Sequence, residues 1–163
     1  MVTTKIQIKD HLAEYINSKY YEYFDTDHPE LGGCVMLPDK LDLYHTIWNL
    51  LEKRPIGRFT DEGNVIIALP SRRIGKDPEY YNYIGVRSVK IINKRIETMF
   101  YAELRQMLDD NKHQEGIEHL DTVHEFINKY RIESLSSDAM IKDFYRWRDL
   151  IRKRKRKRPY NKA

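Results

Sequence analysis

The amino-acid sequence predicts a mostly α fold with a minor two-stranded β element, closing in a three-helix, helix-turn-helix-like unit. Three observations carry that expectation. From about residue 88 onward, apolar residues recur at spacings of three and four, the period of one helix face. Before that point two short apolar runs, 34–37 and 64–69, are each closed by a proline, as strands often are. The chain of 163 residues, 40% apolar, can bury one core without disulfide or metal staples. We divide it into an N-terminal α/β portion (1–85), a helical, helix-turn-helix-like portion of the same compact unit (86–151) and a basic tail (152–163).

Each element follows from local pattern. Ile8, Leu12, Tyr15, Ile16 and Tyr20 predict a first helix over about 5–20, with Thr3 or Thr4 as its cap. Residues 21–33, YEYFDTDHPELGG, read as a loop. The run 34–37 is a strand ended by Pro38. Asp42 can cap a helix reaching about Lys53, with Tyr44, Ile47, Trp48 and Leu51 on its buried stripe; Pro55 and Gly57 stop it. The run 64–69 is the second strand. A helix between the two strands permits a parallel crossover, and antiparallel pairing stays open. Residues 71–85 form a loop or short helix. Val89, Ile92, Ile96, Met99, Phe100, Leu104, Met107 and Leu108 predict a long helix over about 88–108, broken by 111–116. Ile117, Leu120, Val123, Ile127 and Tyr130 predict the next helix. After the turn RIESLS, Ser136 or Ser137 starts the last one, with Asp138 in its first turn.

That last helix leads into the most informative stretch, DFYRWRDLIRKRKRKR (143–158), whose final seven residues are all cations. The net charge of +4 conceals a division. From residue 138 onward there are eleven cations and three anions, whereas the first 137 residues hold 18 cations and 22 anions. An acidic body with a basic end is the pattern of an arm for a polyanion. At about 100° per residue, Met140, Phe144, Trp147 and Ile151 share a narrow arc, a core stripe. Lys142, Tyr145, Arg146, Asp149, Arg152, Lys153 and Arg156 lie opposite, and Arg148 sits at the stripe's edge. Residues 138–151 therefore read as an amphipathic helix docked on the body. Beyond Ile151 nothing is apolar, so helix propensity or a bound polyanion must keep 152–158 helical.

A helical hairpin at 117–151 with a cationic second helix predicts a non-enzymatic DNA-binding protein, the second helix and tail meeting duplex DNA. The expected nucleic-acid-binding residues are Lys142, Tyr145, Arg146, Arg148, Arg152, Lys153, Arg154, Lys155, Arg156, Lys157 and Arg158. Arg72, Arg73 and Lys76 add possible secondary phosphate contacts, although a solvated loop is the better explanation of them. Two other readings use the same cations: a protein–protein adaptor or phage assembly component whose basic end meets an acidic partner or packaged nucleic acid, and RNA binding, in which Tyr80, Tyr81 and Tyr83 would stack on bases. A homodimer is compatible with any of them.

Catalytic and metal patterns are missing from the sequence. The Arg72–Lys76 segment lacks P-loop glycine spacing, and there is no Gly-x-Ser-x-Gly. His119 and His124 are five apart, on different helix faces, and Cys34 with His28 makes a poor site. Pro38-Asp39 could be the first acid of a nuclease, but the following strand carries no further acid or Lys. We expect no enzyme activity, no cofactor and no metal. No apolar run approaches a membrane span of about 20 residues, the first residues do not make a secretory leader, and a lone Cys34 suits a reducing compartment, so a cytoplasmic location is expected.

Three stretches, LPDKLDLYHTIWNLLEKRP (37–55), LPSRRIGKDPEYYNYIG (69–85) and DAMIKDFYRWRDLIRKRKRKR (138–158), carry a resemblance to small uncharacterised DNA-binding and regulatory proteins of bacterial phages and mobile elements. That resemblance implies a role in transcription regulation or replication and no catalytic residues.

Overall fold

Four strands form one sheet where the sequence predicts two, and helices cover it. A computed structural model describes residues 1–57, 62–72 and 74–156. The first strand, β1 (Thr3–Ile6), takes the residues expected to cap and open the first helix. Thr4 and Ile6 point inward while Lys5 is exposed, the two-residue alternation of a strand. Three of its four residues are β-branched, which favours extended backbone. The helix α1 begins only at Asp10 and runs to Tyr20 (Asp10–Tyr20), with the Asp10 carboxylate in its first turn.

The chain then turns directly into β2 (Tyr21–Tyr23), inside the segment expected to be a loop. After a 3-10 turn at Pro29–Leu31 comes β3 (Gly33–Val35), then α2 (Asp42–Leu50) and β4 (Val65–Ala68). Sheet order is β1-β4-β3-β2. The two foreseen strands are the central pair, and they are parallel, with Val35 opposite Ile67. The α2 crossover makes that pairing possible. The two unforeseen strands flank them antiparallel: Ile6 lies opposite Val65, and Tyr21 opposite Val35. Two strands is therefore corrected to four. β2 escaped notice because all three of its residues are exposed at an edge, leaving no alternation to detect.

The last half of the described chain is helical. α3 (Val86–Asp110) ends in a single π-helical turn, Asn111–Glu115, closed by Gly116 in the left-handed region. α4 (His119–Tyr130) and α5 (Ser137–Arg156) follow. Ile92, Ile96, Phe100, Leu104 and Leu108 of α3, each four residues on, are buried against α1, α2 and α4. One core runs through both portions of the chain, from Ile6 to Phe144. At its centre the rings of Tyr15, Phe100, Phe126 and Tyr130 meet edge-to-face at 4.8–5.4 Å.

α1 also fixes the α4–α5 turn. The Glu14 carboxylate accepts the backbone N–H groups of Glu133 (3.0 Å) and Ser134 (3.2 Å) and the Ser134 hydroxyl (2.9 Å). The Ser18 hydroxyl donates to the Tyr130 carbonyl at 2.6 Å. Arg131 adopts the left-handed conformation (φ 50°), and the Ile132 N–H reaches back to the Ile127 carbonyl. That is a helix-ending turn in which arginine occupies the position glycine usually takes.

Candidate nucleic-acid interface

α5 is built to be held by one side and open on the other. Ser136 caps it, its hydroxyl accepting the Ala139 N–H at 3.3 Å. Met140 and Phe144 are buried, and Trp147 and Ile151 are half-buried, so the expected core stripe is the face that docks. Trp147 lies 4.7 Å under the guanidinium of Arg105 on α3, which Asp143 of α5 holds at 3.0 Å. These contacts fix the rotation of α5 about its axis and therefore what it presents outward.

The outward face carries Lys142, Tyr145, Arg146, Asp149, Arg152, Lys153, Arg154, Lys155 and Arg156, all exposed. Arg148 is half-buried, its guanidinium 4.8 Å above the Tyr145 ring and 5.5 Å from that of Phe144. The helix continues past Trp147, the last of its residues packed against the core, and past the half-buried Ile151 to Arg156. Lysine and arginine are good helix formers, and cations in the last turn meet the negative end of the helix dipole. Among the described residues, only Arg152 of these exposed α5 cations has an ion pair, a loose one to Asp149 at 3.9 Å. Lys157, Arg158 and Arg73 lie outside the described residues.

Arg72 and Lys76 belong elsewhere. The Lys76 ammonium donates to the Asn49 and Leu51 carbonyls at the end of α2, both at 2.6 Å. Arg72 stacks 4.4 Å over Trp48 and bonds His45 Nδ1. Gly75, at φ +113°, lets the loop lie flat on Trp48; a Cβ there would come within 2.6 Å of the indole. These cations fasten a loop to α2. Their corner adjoins the start of α3 through the Glu52–Tyr83 bridge. α5, in contrast, meets His119 just beyond the far end of α3. The 25 residues of α3 span about 37 Å, so the Arg72 loop and the basic end of α5 do not form one surface. Of the three loop tyrosines, Tyr80 is exposed, while Tyr81 packs against the core beside Lys53.

His119 joins the interface without any forewarning in the sequence. Its Nδ1 lies 3.2 Å from the Tyr145 hydroxyl, and its ring packs edge-on against Phe144 at 5.1 Å. Burial, then the charges of Arg148 and Lys112, push its pKa below the usual histidine value; Glu118 and Asp109 oppose the shift. The contact links residues 26 apart across the hairpin, so no local spacing could reveal it.

Among the described residues no helix is long and apolar enough to cross a membrane, and no three His, Cys, Asp or Glu side chains gather as a metal set. Cys34 is buried in β3, while His28 is exposed and paired with Glu30. No protein-family model, no curated protein and no solved structure matches the chain.

Proposed function

We propose that the protein binds duplex DNA without catalysis, through the outer face and basic end of α5, as a regulator or accessory factor of a phage or mobile element. The observation that carries this reading is α5 itself. A helix anchored by Met140, Phe144 and Trp147 projects a run of cations, of which Lys153 to Arg156 have no ion pair among the described residues, while the body is acidic. A surface serving solubility alone would mix its signs. In this reading α4 and α5 act as a helix-turn-helix-like pair. Lys142, Tyr145, Arg146 and Asp149, on the part of α5 that docks, are the rigid candidates for base contact, and the cations beyond Ile151 grip phosphate.

Gel retardation of a mixed-sequence duplex tests it. The full chain retards the duplex, the complex weakens with salt, and removal of 152–163 abolishes it. Unchanged affinity after that truncation overturns the reading. Tighter binding of structured RNA in direct competition would replace DNA with RNA as the partner.

A further inference from the structure

The edge of α5 that carries Tyr145 and Arg148 does not end at the helix. His119, the first residue of α4, continues it, and Lys112 of the π-helical turn stands behind. Tyr145 is 40% exposed, His119 is half-buried, and Arg148 lies over the tyrosine ring. We propose that His119 is a proton-linked contact to nucleic-acid phosphate, so that the interface spans α5 and the start of α4 and tightens as pH falls. This inference rests on the nucleic-acid reading above.

The chemistry follows from which atoms carry protons. In the neutral imidazole with its proton on Nε2, the Tyr145 hydroxyl donates to Nδ1 and is used up inside the protein. Protonation makes both ring nitrogens donors. Nδ1–H then donates to the Tyr145 oxygen, and the tyrosine proton turns outward. Nε2 has no hydrogen-bond partner among the described residues and is not one of the buried unpartnered atoms, so its N–H is open to solvent. One proton taken up at His119 thus offers a phosphate two donors and one positive charge.

The groups facing His119 set the sign. Arg148 of α5 and Lys112 of the π-helical turn disfavour the imidazolium; Glu118 of α4 and Asp109 of α3 favour it, and the Tyr145 hydroxyl bonds it. A phosphate placed against Arg148 cancels the larger of the two repulsive charges, Lys112 being already paired with Glu118 at 2.7 Å. Binding therefore raises the affinity of His119 for a proton, and by reciprocity a proton raises the affinity for the phosphate. Affinity is lowest above the titration range of the complex, grows as pH falls through it, and levels off below the titration range of the free protein.

The test is the affinity of the full chain for a 20-base-pair duplex at fixed ionic strength between pH 7.5 and 5.5, with the His119 ring titrated by NMR with and without the duplex. We expect affinity to rise about three- to tenfold on acidification, one linked proton giving at most tenfold per pH unit. The His119 midpoint should move upward when the duplex is added. His119→Gln, neutral at every pH and still able to bond Tyr145, should lose the rise on acidification. Wild-type binding that is salt-dependent yet flat with pH, or a rise that persists in His119→Gln, overturns the inference and leaves DNA binding standing. Failure to bind duplex at any pH and low salt overturns the DNA-binding reading, and the His119 role with it.

Discussion

Glu103 of α3 accepts from four side chains on two other helices: Tyr15 (2.6 Å) and Lys19 of α1, and Lys129 (3.4 Å) and Tyr130 of α4. It joins the three helices whose aromatic rings form the centre of the core. Burial by itself would raise its carboxyl, but the hydrogen bonds from Lys19, Tyr130 and Tyr15 outweigh burial and hold it down to about 2. The sign of the pH effect follows. A carboxyl depressed in the folded state stabilises the fold above its unfolded value near 4.5 and loses that contribution as pH falls toward about 2. Glu103→Gln keeps the shape but removes the charge. It should cost about 1–3 kcal/mol at neutral pH and flatten the loss of stability below pH about 4.5. Thermal unfolding of both proteins at several pH values measures this. Parallel stability curves across the acid range would show that Glu103 does not carry the acid sensitivity.

At the scale of elements, the turn between α4 and α5 decides where α5 points, and Glu14 of α1 holds that turn at three donors. Glu14→Ala leaves the N–H groups of Glu133 and Ser134 with water as their acceptor. We expect a loss of about 1–2 kcal/mol and faster hydrogen exchange at those two amides. Exchange at α2 should stay as it was, and unchanged exchange at Glu133 and Ser134 would remove Glu14 as the anchor. Glu14 could not be picked out from sequence because its partners lie about 120 residues away. The same division between local and distant explains what the sequence disclosed. α3, α4 and the docked part of α5 were legible because burial on one face imposes a 3.6-residue period, and Phe144 and Met140 obey it. β3 and β4 were legible as apolar runs, but their parallel pairing was not, since it depends on the path through α2. β1 merges with the first helix in sequence because Ile8, four residues before Leu12, extends the helical stripe backward; the Ile6–Ile8 alternation fits a strand, and partnership with β4 decides the matter. On α5, the wheel separated the docked residues from the exposed ones, while His119, like Glu14, became visible only through tertiary contact.

Considered whole, the molecule carries its net positive charge at one end of the chain, away from its acidic body. Lys153, Arg154, Lys155 and Arg156 extend beyond the last core contact of α5, and the first 137 residues carry more acid than base. An approaching polyanion is attracted to one end and repelled by the rest, so charge orients the encounter before any side chain reads a base. Under the proposed function this has a countable consequence. Each phosphate that the protein neutralises releases counterions, and the slope of log affinity against log salt measures how many. Replacing Lys153, Arg154, Lys155 and Arg156 together by alanine should make that slope shallower by about 3–4, with weaker binding to every sequence alike. Arg146→Ala tests the docked part of the same helix. A base-reading arginine alters the preference among duplexes, whereas a phosphate contact changes the slope by about 1 and leaves the preference alone. Lys90→Ala, near the start of α3 and exposed, is the control and should leave the slope where it was. If Lys90→Ala and the fourfold variant shift the slope equally per charge removed, nucleic acid is sampling the overall charge of the protein and α5 has no privileged role. If the fourfold variant alone moves it, the basic end of α5 is where the polyanion sits.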